Sequence, residues 1–278
     1  MTQFINNTKT AILLGLLFGL ILFAGAQFGG SQGLVWAFIF GGFGNIIAYF
    51  YSDRIAIMAM RGQEVDERSA ADLIHMVGRL AQNAGLPMPR VYICPQEAPN
   101  AFATGRSPRH AAVAVTHGAL KLLNYDELEG VIAHELAHIK NRDTLISTVA
   151  ASIAGAISAL GWMAFWFGGR DRDSNPLVMI LFIVLAPLAA AVIQMAISRS
   201  REYVADANGA RIAGSPHGLI SALQKLDLAA QRVPMRNNMP SQNHMFIIKP
   251  LSGKGGLTKL FSTHPPTAER IKKLRELA

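Results

Sequence analysis

Four stretches of the chain carry no charged residue over a length comparable to a bilayer: Ala11–Phe28, Leu34–Ser52, Leu145–Phe167 and Pro176–Ser198. A helix needs about 20 apolar residues to cross a hydrocarbon core of roughly 30 Å, so each stretch predicts a spanning helix. Glycines such as Gly15, Gly19, Gly41 and Gly44 would weaken a water-exposed helix, but small residues let membrane helices approach one another closely. Ala24-Gly25-Ala26 resembles a signal-cleavage site, yet the second apolar stretch begins just past Gly29–Gly33, a spacing that predicts a helical hairpin.

Two polar stretches, Ser52–Asn141 and Arg199–Ala278, remain for the aqueous part. Ala70, Leu73, Ile74, Val77 and Leu80 recur at helical spacing, which predicts a helix over Asp66–Ala84 with Gly85 as its C-cap. Arg90–Cys94 and His110–Thr116 are Val- and Ala-rich and bounded by Pro and Gly, and predict strands, with Asn100–Ala103 a third. Asn124 and Glu127 have capping-box spacing and start a helix expected to run through residues 134–138 straight into the third apolar stretch. A second helix is expected to leave the fourth stretch through Arg201–Ala213, and Gln231–Thr263 reads as a loop or flap. There is no internal repeat.

Composition sharpens this picture. Of 278 residues 51% are hydrophobic and only 16% charged, with positive mean hydropathy; about 25% charged is usual for a soluble domain. Disordered and nucleic-acid-tail classes are excluded. The single cysteine, Cys94, excludes a disulfide framework and a Cys-rich zinc site, and suits a reducing cytosol. If all four stretches span, Lys9, Arg54, Arg61, Arg68, Lys140, Arg142, Arg199, Arg201 and Arg211 share one side, and the other receives only Arg170 and Arg172, offset by Asp171 and Asp173. The positive-inside rule then makes both termini and the polar region cytoplasmic. The net charge of +8 is accounted for by that bias and by anionic lipid, not nucleic acid.

His134-Glu135-Leu136-Ala137-His138 carries the chemistry. Residues i and i+4 share a helix face, so both imidazoles reach one metal ion while Glu135 lies beside it as a base for a bound water. A catalytic zinc needs a third protein ligand and an open position. Glu202 and Asp206 sit one helical turn apart, and the chemistry assigns one carboxylate to the metal and the other to the free N–H of a ligating imidazole. His138 precedes the third apolar stretch and Glu202 follows the fourth, so an antiparallel hairpin of those stretches brings them together near the bilayer surface. His75, His110, His117, His217 and His244 have no partner at ligand spacing and read as surface or loop residues, and the methionines of Met235–Met245 as filler.

The motif at 134–138, Glu202-Tyr203-Val204-Ala205-Asp206, Asn100-Ala101-Phe102-Ala103-Thr104-Gly105 and Thr263-His264-Pro265-Pro266 together resemble the HtpX family, bacterial membrane-embedded zinc metalloproteases related to the type I CAAX prenyl protease. The likeness covers essentially the whole chain. It implies a mainly α multi-pass membrane protein with a cytoplasmic α+β zincin-like (gluzincin) protease domain containing a small β-sheet. The expected division is a transmembrane hairpin at 1–52, the first part of the protease domain at 53–144, a second hairpin at 145–198 and the rest of the domain at 199–278. The resemblance implies one Zn2+ per subunit on His134, His138 and Glu202, Glu135 as general base and Asp206 as partner of His134. It implies that His264 and Arg270 stabilise the tetrahedral intermediate, and that Asn100, Ala101, Phe102, Ala103 and Thr104 form the strand to which substrate adds. Expected partners are misfolded or damaged membrane proteins and the lipid bilayer, in the bacterial inner membrane. Prenyl-peptide processing and a non-catalytic membrane zinc protein are the alternatives.

Overall fold

The computed structural model describes residues 50–144, 201–232 and 265–277, together with the helical residues 30–39 and isolated positions before residue 50. The third and fourth apolar stretches, parts of the first two, and the loop expected at Gln231–Thr263 beyond residue 232 lie outside the described residues. Among the described residues no helix is long and apolar enough to cross a membrane.

Helix α1 spans Ser52–Ala59, strand β1 Gln63–Glu64 and helix α2 Glu67–Ala84. Helix α2 begins where the periodicity places it: the Asp66 side chain accepts from the Arg68 and Ser69 amides, and Gly85 closes the helix at φ 68°. Strands β2 (Arg90–Cys94), β3 (Ala101–Gly105) and β4 (Ala111–Thr116) follow, then helix α3 (His117–Leu122) and helix α4 (Tyr125–Asn141). Asn124 and Glu127 form the expected capping box of α4. Helix α5 covers 201–213, α6 His217–Arg232 and α7 Thr267–Arg275. Neither α6 nor the short α3 was anticipated.

The strands form one mixed sheet in the order β1-β2-β4-β3, with β2 parallel and β3 antiparallel to β4. Alternating side chains point to opposite faces of a strand, and both faces here are covered. Val91, Ala101, Val113 and Val115 join the main core with α2, α4 and α6, while Tyr92, Cys94, Phe102, Ala112 and Ala114 pack with Ile57 and Met60 of the α1 region. A strand buried on both sides reads as a continuous apolar run, as Ala111–Thr116 does. Strand β3 is one edge of the sheet, and α4 runs beside it.

One expectation needs correcting. Helix α4 does not pass straight into the third apolar stretch: it stops at Asn141, and Arg142 takes the left-handed conformation (φ 60°) before helix resumes at residue 143. That conformation costs a side-chain-bearing residue about 1–2 kcal/mol, so the surroundings must enforce it.

Candidate metal centre

Helix α4 presents His134 and His138 one turn apart with their rings at 88° and their Nε2 atoms 3.2 Å from each other. Helix α5 supplies the third corner. Glu202 Oε2 lies 3.6 Å from His134 Nε2 and Glu202 Oε1 3.5 Å from His138 Nε2. One ligand atom from each of the three residues falls within 4.8 Å of the other two. Zinc–nitrogen bonds of about 2.0–2.1 Å in tetrahedral geometry set ligand atoms about 3.3 Å apart. The triangle therefore has the size of three corners of such a tetrahedron, built from a donor set suited to zinc.

Glu202, Asp206 and Gly209 stand at i, i+4 and i+7, on one face of α5. A Cβ at Gly209 would lie 2.9 Å from both the Cα and the N of His134, so only glycine lets the two helix backbones meet there. This contact, which nothing in the ligand spacing suggested, sets how closely Glu202 approaches the imidazoles.

Around the triangle stands a charged ring. Asp206 Oδ1 lies 3.0 Å from His134 Nδ1, an ion-pair distance without hydrogen-bond alignment. Arg270 of α7, only 1% exposed, grips the same carboxylate, donating Nε to Oδ2 (2.9 Å) and Nη2 to Oδ1 (2.7 Å), and its Nη1 lies 3.7 Å from Glu202 Oε2. Burial works against a charge on His134, but Asp206 and Glu202 outweigh it and lift the imidazole pKa to about 10. Burial likewise disfavours the Asp206 carboxylate, yet Arg270 and then His134 hold its pKa well below the ordinary carboxylate range. Arg270 is pushed above its ordinary value by Asp206 in spite of its burial.

Asp143 was not anticipated. Its Oδ2 lies 3.1 Å from His138 Nδ1, and Arg201 Nη1 donates to its carbonyl at 3.2 Å. The left-handed Arg142 makes this possible by turning the chain back at the end of α4. A carboxylate five residues past a ligand looks unconnected to it unless the helix is known to break between them.

Glu135 is 6% exposed, and its Oε2 accepts from the Ala103 N–H of β3 at 2.8 Å. Ala103 thus turns its amide to the open edge and not to β4. Asn100 precedes the strand, its backbone exchanging hydrogen bonds with the buried Thr116. His264 and His244 lie outside the described residues; His75, His110, His117 and His217 are exposed, as expected.

A protein-family profile described as peptidase family M48 matches residues 67–278. A protease HtpX homolog of Persephonella marina is 52% identical over 282 residues, covering 98% of each chain. One of Thermococcus kodakarensis is 53% identical over 277 residues, covering 97% of this chain and 95% of the relative. The crystal structure of S. mikatae Ste24p superposes with a TM-score of 0.55 at 20% identity, covering 99% of this chain and 66% of that one, a likeness of fold.

Proposed function

From the premise that this chain belongs to peptidase family M48 and is a metalloprotease, we propose that it is a zinc-dependent endopeptidase of the bacterial inner membrane, cutting misfolded or damaged membrane proteins at the cytoplasmic face. The reading is carried by the triangle of His134, His138 and Glu202, whose edges of 3.2–3.6 Å suit a tetrahedral zinc, beside Glu135 at a sheet edge. Large apolar side chains left in the open on residues 30–50, among them Trp36, Phe38 and Phe43, support the membrane placement. The domain division at 52, 144 and 198 is part of the same reading.

Zinc on these three residues would acidify a water and polarise the scissile carbonyl. A substrate strand laid antiparallel or parallel along β3 would take the Ala103 N–H for one of its own carbonyls, by β-augmentation. Glu135 Oε2 would then be released from Ala103 to face the attacking water. Glu135 takes one proton from that water as the new C–O bond forms and hands it to the amine nitrogen as the C–N bond breaks. Asp206 and Asp143 hold the two imidazoles in orientation, one through each Nδ1. Arg270, engaged by Asp206 through two nitrogens, keeps that carboxylate and Glu202 in place; donation to the developing oxyanion falls to His264 together with Arg270. Water attacks the carbonyl directly in this scheme, so no acyl-enzyme forms.

Glu135→Gln tests this reading. The variant is expected to retain zinc by elemental analysis and to lose cleavage of an unfolded substrate such as casein by a factor of about 100 or more. Equal rates for variant and parent would overturn it. A non-catalytic role is set aside with membership of a peptidase family, and prenyl-peptide processing has no observation of its own, since 20% identity speaks to fold alone.

A further inference from the structure

Away from the metal centre, a cavity of about 580 Å³ lies between the end of the second apolar stretch, the start of β2 and the β3–β4 turn. Four guanidinium groups line it, those of Arg54, Arg90, Arg106 and Arg109, against one carboxylate, Asp53. Arg90 is paired with that carboxylate. Arg54 lies 5.6 Å over the Tyr51 ring, and Arg106 lies 5.2 Å over the Phe50 ring while donating to the Phe50 carbonyl at 2.7 Å. Among the described residues Arg54, Arg106 and Arg109 have no carboxylate partner. Like charges gathered in one concavity repel, and a shared anion is what offsets that repulsion.

The position of the cavity says which anion. The β3–β4 turn is tied to two apolar stretches where they meet water: Arg106 holds the Phe50 carbonyl, and Thr144 Oγ1 donates to the Gly105 carbonyl at 2.9 Å. The turn is tight, with Gly105 at φ 130° and a Cβ there only 2.1 Å from the His110 carbonyl, so the placing of Arg106 and Arg109 is fixed by the backbone. The rim carries Phe43, Phe50 and Tyr51, which are 62%, 48% and 47% exposed. Apolar rings beside a cationic pocket fit an amphiphile, whereas a free anion gains nothing from them. Guanidinium forks match phosphate oxygens two by two.

We propose that this cavity binds the phosphodiester headgroup of an anionic phospholipid, with its chains beside the exposed Phe43 and Phe50, and so seats the protease domain on the bilayer. The proposal rests on the membrane reading above. A site of this kind holds the sheet carrying β3 at a set height over the lipid surface, where a membrane protein's aqueous segment is within reach.

The experiment uses the full chain in dodecylmaltoside micelles, with phosphatidylglycerol or phosphatidylcholine added and bound lipid counted by native mass spectrometry. Phosphatidylglycerol should be retained in preference to phosphatidylcholine. In Arg106→Gln/Arg109→Gln that preference should fall about tenfold or more, as expected for loss of charge-assisted hydrogen bonds, with casein cleavage in phosphatidylcholine micelles unchanged. Lys272→Gln/Arg275→Gln, on the exposed side of α7, should behave as the parent. Equal retention of phosphatidylglycerol by parent and Arg106/Arg109 variant would overturn the proposal. So would equally strong competition by soluble glycerophosphoglycerol or inorganic phosphate, which would make the cavity a free-anion site. Failure of the membrane reading itself shows elsewhere, as release of the chain from membranes by alkaline carbonate.

Discussion

Asp206 is the residue on which the charges of the metal centre balance. It faces a ligand imidazole on one side and a guanidinium with 1% exposure on the other. Asp206→Ala takes from the buried Arg270 the carboxylate that accepts two of its hydrogen bonds, leaving Glu202 at 3.7 Å, and a loss of about 3 kcal/mol in chemical denaturation is expected. Asp206→Leu/Arg270→Met removes both charges and should recover most of that loss, while zinc affinity stays 10–100-fold down for want of the imidazole partner. A second expectation follows from protonation. The carboxylates lift the His134 pKa to about 10, so at neutral pH metal must displace a proton. Affinity should therefore rise about tenfold from pH 7 to pH 8 in chelator competition, and the rise should flatten in Asp206→Asn, where the imidazole gives up its proton more easily. His134, Glu135 and His138 on one helix, and Glu202 and Asp206 on another, were legible in the sequence because helical spacing aligns each set; their meeting depends on how α4 packs on α5. Asp143 was not, since its approach to His138 depends on a left-handed turn at Arg142 that an arginine does not announce.

At the level of elements, the spacing of α4 against α5 decides whether three ligands converge. Gly209 is the contact point, and a methyl group there meets backbone atoms of His134 at 2.9 Å. Gly209→Ala should push α5 outward at a cost of about 1–3 kcal/mol. It should lower zinc occupancy by elemental analysis although no ligand is altered, and unchanged occupancy would mean that the helices have slack. Helical periodicity, the capping-box spacing at Asn124 and Glu127 and the Val- and Ala-rich runs placed α2, β2, β4 and the start of α4 nearly to the residue, because these signals act over a few positions. The edge position of β3 and the pairing of β2 with β4 could not be read that way. Both depend on which strand finds which neighbour across intervening chain. Helix α6 was missed for a related reason: its apolar face is defined by packing on α4, behind a Ser-Pro-His-Gly start that reads as a turn.

For the molecule as a whole, the four apolar stretches predict that residues 170–173 face the side opposite the metal centre. Cys94 is fully buried, and burial pushes its thiol up to about 11, so it should stay silent toward maleimide in the folded protein. Single cysteines introduced at Asp171 and at Gln63 can then be labelled against a quiet background: position 171 is expected to react from outside intact cells and position 63 only after permeabilisation. The reverse pattern would invert the topology. Spacing along the chain paired His134 with His138, put Glu135 beside them and set Asp206 one turn from Glu202, since each of these is a matter of one helical turn. The sequence by itself also determined where apolar surface must be hidden from water. What the packing settled is that β3 is an edge strand beside Glu135, that Arg270 and Asp143 stand against Asp206 and His138, and that four arginines gather beside Phe43, Phe50 and Tyr51. Each of those unites residues distant along the chain or across a backbone reversal, and such meetings are settled by the packing of the whole.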